Sequence, residues 1–422
     1  MTLSWKRSIY EELRDQSTIA FPTLAGMVIS KIPWFVTLRF VGLLGNTQQL
    51  AAAALALTLR NLTGLSLSVG LSSALATLTA QSRGDLQMKL STQKTVMKGG
   101  GGAMNGAEYD ATENTSLLQS GSKTTPTDNS HKNDLSLEPL PPLVYLYRGM
   151  FIQLLFVLPM ILWWLHGVSD FLISLGQGPQ LSQMTEAYLQ LLAPGLICYS
   201  INWTFQVWLQ NLDMAFLPAY ATTFATVCHL PLNMFWIHYM GWGYLGAAMA
   251  TTTYELIQPT IFLIYIFGTR RGTQRTLDAM AATAVRPSGK LSFWPEFKVA
   301  VSSLTGALQY LGLALPGLVG ISEWWASEIT IFLAGRLQPS PDLTLGAMTI
   351  FQCINTFCFM VPMSGSIAGS ARVGSLLGAK DADGAKWASR VNVSACAFVS
   401  AFIGISLYLL PHGIIPSLFA PD

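Results

Sequence analysis

The chain contains few charged residues. Asp, Glu, Lys and Arg make up 11% of its 422 residues and hydrophobic residues make up 51%, whereas about 25% of residues are charged in soluble domains. The formal net charge of +2 is too small to indicate a nucleic-acid partner. The shortage of charge argues against a soluble domain and indicates a protein embedded in a lipid bilayer.

Cysteine is also scarce, and patterns typical of enzymes are missing. The five cysteines form no C-x-x-C pair and lie in or beside apolar segments, which argues against a disulfide framework or a zinc site and favours packing roles. The sequence has no Walker phosphate-binding motif, no metalloprotease motif and no Ser-His-Asp pattern. We therefore expect no enzymatic activity, no metal and no cofactor.

Apolar segments long enough to cross a bilayer, at about 20 residues per helix, are abundant. They predict an all-α polytopic membrane protein with nine spans: Ile19–Leu44, Leu50–Thr79, Gly149–Leu165, Tyr188–Leu209, Leu217–Ile237, Tyr244–Phe267, Leu311–Leu333, Leu343–Ala371 and Val391–Leu410. The second and third spans are separated by residues 87–142, which have few large apolar side chains. We predict a disordered cytoplasmic loop there.

Lysine and arginine predict the orientation of the chain. In the nine-span topology, 20 of the 24 lie on one side of the membrane and only Arg336 lies on the other. Because positively charged loops stay in the cytoplasm, we expect a multi-pass integral membrane protein with a cytoplasmic N-terminus. The sequence does not distinguish a plasma membrane from a vacuolar one.

The beginning and the end of the chain resemble each other. Ala20-Phe-Pro-Thr-Leu-Ala-Gly26 aligns with Ala314-Leu-Pro-Gly-Leu-Val-Gly320 at an offset of 294 residues, and the similarity continues to Gly84 and Gly378. Internal repeats are typical of transporters, which bind substrate between the two halves. We predict a six-helix N-terminal lobe in residues 1–298 and a partial, three-helix C-terminal lobe in residues 299–422. This pattern is expected of a twelve-span protein without its last three spans, and a nine-span protein is the alternative.

Charged residues inside the spans are the candidates for function, because each costs about 2.5–3.5 kcal/mol at the centre of a membrane helix. Glu323 and Glu328 lie about 140° apart around one helix, so one can reach a central cavity while the other packs among its own helices. A carboxyl that exchanges protons is what a proton-driven exporter needs. Glu255 is either another coupling acid or the counter-ion of Lys31 or Arg60, with Lys31 the preferred partner. For Glu323 and Glu328, the alternative role is a structural ion pair within the bundle.

Aromatic and polar residues complete the predicted site. Trp324 and Trp325 follow Glu323, and their ring faces would attract organic cations. Asn202 and Gln352 are predicted to add polar groups to the substrate cavity.

The segment Glu323-Trp-Trp-Ala-Ser-Glu328 resembles the seventh-helix signature of eukaryotic members of the multidrug and toxic compound extrusion family. Three further segments are similar to the ends of that family's eighth and second helices and to the start of its sixth: Met360–Ala379, Gly70–Gln81 and Gly243–Ala250. The resemblance covers nearly the whole chain outside residues 87–142.

The resemblance implies an exporter with two six-helix lobes around a V-shaped cavity. It implies exchange of protons, or of sodium in some relatives, for organic cations or metabolites. Glu323 matches the family's coupling acid in the C-terminal lobe, and Glu328 matches a second acid important in animal members. The family's helices ten to twelve are not in this sequence, and Cys353, with Gln352 beside it, stands where animal members carry an acid in helix eight.

The predicted function is secondary active export of small organic, cationic solutes or metabolites in exchange for protons. One alternative is a truncated, non-transporting paralogue that pairs with or regulates a full-length relative, which the missing helices favour. The other is a lipid-linked sugar flippase of the same superfamily. Since such flippases tend to have basic cavities, the glutamates argue against it.

Overall fold

The computed structural model describes residues 8–99, 140–280, 291, 293–334 and 341–411, without the side chains of 93–99, 328, 331–334, 341–347, 349, 350 and 353. All regular secondary structure in these ranges is helical. The α-helices are α1 Ile9–Ile29, α2 Ile32–Gly42, α3 Thr47–Leu59, α4 Ser66–Gly99, α5 Pro141–His166, α6 Val168–Ser174, α7 Pro179–Asn211, α8 Phe216–Asn233, α9 Gly243–Leu263, α10 Arg270–Ala279, α11 Trp294–Ser302, α12 Leu304–Gly320, α13 Ser322–Ala334, α14 Pro341–Gly378 and α15 Ala382–Leu409. We refer to α1–α10 as the first half and to α12–α15 as the second half.

The predicted spans are helical, but the first and the seventh are each broken once. In the first span, α1 ends at Ile29 and α2 begins at Ile32 with Pro33 in its first turn. Proline has no backbone N–H to continue the hydrogen bonding of α1, so the helix restarts there. In the seventh span, α12 ends at Gly320 and α13 begins at Ser322, at a glycine with low helix propensity. Both breaks place polar residues at helix ends within the bundle.

Two helices begin or end away from the predicted positions. The first was expected from Ile19 but begins at Ile9, because Ser8 and Glu11 form a reciprocal cap in which each side chain accepts the other's backbone N–H. The loop predicted from Gln87 does not begin there, since α4 continues as helix to Gly99. An i,i+4 ion pair between Asp85 and Lys89 supports that extension. Residues 100–139 of the predicted loop lie outside the described residues.

Three short π-helical turns interrupt the described helices, at Arg60–Leu65, Met234–Tyr239 and Ile264–Gly268. The first joins α3 to α4 in the middle of the second predicted span. A π-helical turn rotates the residues that follow it relative to a continuous α-helix, and such turns often occur at functional sites. Arg60, the first residue of this turn, is only 9% exposed.

Five helical segments of the described residues are long and apolar enough to cross a membrane: Ile9–Gly42, Thr47–Thr92, Pro141–His166, Leu304–Ser327 and Ala382–Leu409. The other four predicted spans lie in α7, α8, α9 and α14, which bury polar side chains. Helix α7, for example, has 33 residues and buries Asn202, Thr204 and Asn211. Polar side chains of an interior helix bond to neighbouring helices instead of facing lipid, so such a helix can be less apolar.

The outside of the bundle is apolar. Helix α15 exposes Phe398, Phe402 and Ile405, and α8 exposes Phe224 and Val227. Exposed large apolar side chains at helical spacing are expected where a helix faces lipid. Together with the apolar helices, these faces support a multi-pass integral membrane protein.

The two halves meet along α4, which packs against α12 and α14. They are in close backbone contact at paired glycines, where the backbone at Gly84 abuts Ser375 and the backbone at Gly378 abuts Gln81, leaving no space for a Cβ atom. Gln81 and Ser375, like Gly84 and Gly378, are separated by the repeat offset of 294 residues. The same contact is therefore made twice, as in an interface with two-fold symmetry.

Candidate functional site

Glu323 lies in the first turn of α13, directly after the break in the seventh span. Its side chain is exposed, and within the described residues its carboxylate makes no hydrogen bond or ion pair. A helix N-terminus carries a partial positive charge that stabilises a nearby carboxylate by about 0.3–1 kcal/mol. The fold thus presents an exposed acid at a helix end, and no protein group among the described residues binds it.

The two tryptophans after Glu323 face the first half. The ring of Trp324 lies 5.8 Å from the Lys31 ammonium, at the break between α1 and α2. The Trp325 indole N–H donates to the Ser66 hydroxyl at 3.2 Å, at the start of α4. Each of the two tryptophans is nevertheless 37% exposed. The first turn of α13 therefore lies between the halves and keeps two aromatic surfaces open.

Gln352 joins the same region from α14. The hydroxyl of Ser327 donates to the Gln352 side-chain oxygen at 2.9 Å, which ties α13 to α14. The side chains of Glu328 and Cys353 lie outside the described residues, so the predicted second acid is placed only by its helix. Trp324 and Trp325 are thus adjacent to Glu323 on α13, and Gln352 contacts the same helix; that these residues line one substrate cavity stays a prediction.

The second group of predicted site residues lies inside the first half. Glu255 on α9 is 4% exposed and forms a buried ion pair with Arg60. The expected pair between Glu255 and Lys31 is wrong in this structure. The π-helical turn carries Arg60 into the interior towards α9, whereas Lys31 at the α1 break approaches Trp324 instead.

We refer to Glu323, Trp324, Trp325 and Gln352 as the α13 region. Asn202 belongs to the interior group and not to the α13 region. Its side-chain N–H donates to the Gln258 side-chain oxygen at 3.4 Å, and the Thr222 hydroxyl donates to the same oxygen at 3.0 Å. The Gln206 amide donates to Asn202 at 3.3 Å. Asn202 is only 2% exposed, so the α7–α9 interface occupies its polar atoms.

Sequence reasoning missed several members of both groups. Gln258 follows Glu255 by three residues, and Tyr199, whose ring lies 5.8 Å from the Arg60 guanidinium, precedes Asn202 by three. Residues three apart share a helix face, so this spacing could have signalled both. Ser66 and Ser327 had no such signal, because single serines are common in membrane helices. Within the described residues, His, Cys, Asp and Glu side chains form no cluster that could hold a metal ion.

The α13 region can bind a cation in two ways. The Glu323 carboxylate can accept a proton or pair with an organic cation, and the tryptophan faces add attraction of about 0.5–2 kcal/mol. The interior group is different, because its acid is already compensated by Arg60. The arrangement therefore favours ligand binding at α13 and a structural role for the ion pair of Arg60 and Glu255.

Comparison with known proteins gives consistent matches. The protein-family model described as MatE matches residues 143–235 and 317–422. Multidrug and toxin extrusion protein 1 of Xenopus tropicalis is 24% identical over 416 residues, covering 98% of this chain and 59% of that protein. Protein DETOXIFICATION 16 of Arabidopsis thaliana is 24% identical and covers 97% of this chain, which spans 70% of it. These relatives are named as extrusion and detoxification proteins, in agreement with the prediction that the chain is not an enzyme.

Solved structures match over the same extent. The crystal structure of the eukaryotic MATE transporter AtDTX14 superposes with a TM-score of 0.72 at 20% identity, covering 98% of this chain and 76% of that one. An outward-facing MATE family transporter superposes with a TM-score of 0.69 at 13% identity, covering 97% and 74%. The described helices thus adopt the fold of these transporters. The combined sequence and structural matches confirm the resemblance of this chain to the multidrug and toxic compound extrusion (MATE) family.

Proposed function

We propose that this protein exports small organic cations in exchange for protons, as a secondary active antiporter. The observation that carries the proposal is the accessible Glu323 carboxylate, which has no partner in the described part of the chain and lies beside two half-exposed tryptophans between the halves. The names of the relatives, which denote multidrug and toxin extrusion, support the substrate class.

Exchange follows from the cost of a bare charge in the membrane. A carboxylate without a partner is expensive inside a bilayer, so the site is most stable when it holds either a proton or a cationic solute. A conformational change that moves the site from one side to the other is then favoured in these two states, in which the carboxyl group is either protonated or paired with the solute. Because one carboxyl cannot hold both, release of a proton on one side is linked to binding of a solute there.

The other predicted residues take supporting roles in this proposal. Glu328 is the second coupling acid, and Trp324, Trp325 and Gln352 contact the solute. Glu255 is a weaker candidate for proton coupling than Glu323, because the Glu255 carboxylate is paired with Arg60. Asn202 supports the first-half wall of the cavity through Gln258.

The experiment is a Glu323→Gln substitution in the full chain, reconstituted into liposomes with an imposed pH gradient. The measured quantity is uptake of radiolabelled tetraethylammonium into the liposomes in exchange for protons that leave down the imposed pH gradient. Glutamine keeps the size of the side chain but cannot exchange a proton, so we expect gradient-driven uptake to fall to the level of empty liposomes. Glu323→Asp is expected to keep part of the activity.

Asp170→Asn is the matched control, because Asp170 is an exposed acid on α6. This variant should transport like the unsubstituted chain. Gradient-driven transport that persists undiminished in Glu323→Gln would rule out Glu323 as the coupling acid and, with it, the proposed mechanism.

A further inference from the structure

Lys31 is a basic residue placed beside the candidate site by the break in the first span. It is the N-cap residue of α2, where α1 has ended and Pro33 has restarted the helix. Its side chain is partly buried, and its ammonium lies 5.8 Å from the centre of the Trp324 ring. This distance is within the range of about 6 Å over which a ring face attracts a cation. A cation of the protein itself therefore occupies one of the aromatic surfaces of the site.

Such a contact has a consequence for ligands that carry positive charge. The negative face of an aromatic ring attracts one cation at close range, and a second cation next to the first is repelled. A positively charged solute that uses the Trp324 ring must displace the Lys31 ammonium or bind in its field. A neutral side chain at position 31 would remove both obstacles.

We propose that Lys31 is a specificity-determining residue that lowers the affinity of the site for organic cations by competing for the Trp324 ring. The inference rests on the proposed function, since it assumes that organic cations are the solutes. Lys31 takes no part in proton exchange in this role. It weakens binding of the solute, which helps an exporter to release its solute after transport.

The test measures binding, so it does not depend on proton coupling. The purified full chain in lipid nanodiscs is titrated with radiolabelled tetraethylammonium by equilibrium dialysis. Lys31→Met is expected to lower the Kd about three- to tenfold, as removal of a competing ring contact would. Lys31→Arg keeps the charge at the ring and should leave the Kd within about twofold.

Two further variants serve as controls. Lys89→Met removes a lysine from the exposed end of α4, where the side chain is 67% exposed, and should leave the Kd unchanged. Lys31→Gln is a second neutral variant with a polar side chain, which should tighten binding as Lys31→Met does. Loss of a charge from a membrane helix lowers the cost of insertion, and elution of each variant as a single species confirms that it is folded.

The ring contact is separated from a general charge effect by repeating the Lys31→Met substitution in a Trp324→Leu background. If Lys31 competes for the ring, the gain in affinity disappears in that background. An equal gain with and without Trp324, or no gain from either neutral variant, would overturn the inference. If the unsubstituted chain bound no tetraethylammonium at all, the proposed function would fail and this inference with it.

Discussion

Arg60 and Glu255 are paired deep in the first half, with side chains only 11% and 6% exposed. Removing two charges from water is costly, and their attraction offsets the cost only when both partners are present. Tyr199 lies beside the pair, with its ring centre 5.8 Å from the guanidinium carbon of Arg60. Either charge alone would be an uncompensated ion inside the bundle.

Single substitutions at this pair are therefore expected to destabilise the protein strongly. Glu255→Gln and Arg60→Met should each lower the free energy of unfolding by about 3–5 kcal/mol, and the double variant should recover most of the loss. Unfolding can be followed with a thiol-reactive dye, because Cys198, Cys228, Cys358 and Cys396 are free and partly buried.

The Asp85–Lys89 pair on the exposed end of α4 is the matched control. Asp85→Asn should change stability by less than about 1 kcal/mol, as is usual for surface ion pairs. Equal effects at the buried and exposed pairs, or a double variant as unstable as the sum of the two single ones, would contradict the assigned pairing.

At the scale of helices, the first turns of α1 tie the two halves together. Glu12 is 1% exposed and accepts from the Arg372 guanidinium at 3.2 Å and from the Gln16 amide at 3.0 Å. Gln16 also donates to the Ala388 carbonyl at 3.1 Å, and the Asn392 amide donates to Gln16 at 2.9 Å. This network joins α1 to both α14 and α15. Glu12 and Gln16 lie ahead of Ile19, where the sequence predicted the start of the first span.

We predict that Glu12→Gln weakens this connection. The Arg372 side chain is 23% exposed, so loss of its buried partner should cost about 1–3 kcal/mol of stability. A double-mutant cycle with Arg372→Gln should show that the two effects are coupled, which is measured by the same dye assay.

Asp383→Asn is the control for that cycle, since Asp383 and Lys386 form an exposed pair with side chains 78% and 70% exposed. Its expected effect is within about 0.5 kcal/mol. Strictly additive effects of the Glu12 and Arg372 substitutions would show that the contact contributes nothing to stability.

At the scale of the whole molecule, the halves cross at the paired glycines of α4 and α14. Ala80 faces Gly374 at the centre of this crossing, and Gly84 and Gly378 pack against Ser375 and Gln81 on its two sides. Small residues let helix backbones approach closely, where van der Waals contacts hold membrane helices together. The repeat therefore determines not only two similar halves but also the contact between them.

A methyl group at this crossing should force the helices apart. Gly378→Ala is expected to lower the midpoint of thermal unfolding in detergent, and Gly84→Ala should do the same, because the Cβ of either would collide with backbone atoms. Gly404→Ala on α15 is the control, because a Cβ there meets nothing within 4 Å.

Alanine has the higher helix propensity, so the control substitution should leave the midpoint unchanged or raise it slightly. A Gly378→Ala protein as stable as the Gly404→Ala protein would mean that the halves are not in backbone contact at this crossing.

Much of the fold was predictable because the membrane constrains local sequence. A bilayer requires long apolar helices, so the nine predicted spans could be located from composition, and each is helical within the described residues. The predicted start of α1 and the predicted end of α4 were wrong. The first turns of α1 and the last turns of α4 extend beyond the apolar segments, so hydrophobicity does not mark them. The break at Lys31 was missed although Pro33 was visible, since proline is tolerated in many membrane helices.

The candidate site was predictable by residue type but not by partner. A charge inside an apolar segment is unusual enough to mark Lys31, Arg60, Glu255 and Glu323 from the sequence itself. The sequence by itself thus determined the class of protein, the helical segments and the charged residues that are candidates for function. Only the tertiary structure decided that Arg60 pairs with Glu255 across 195 residues, and that Lys31 approaches Trp324. Such pairings depend on helix rotation and helix breaks, which position side chains that are far apart along the chain.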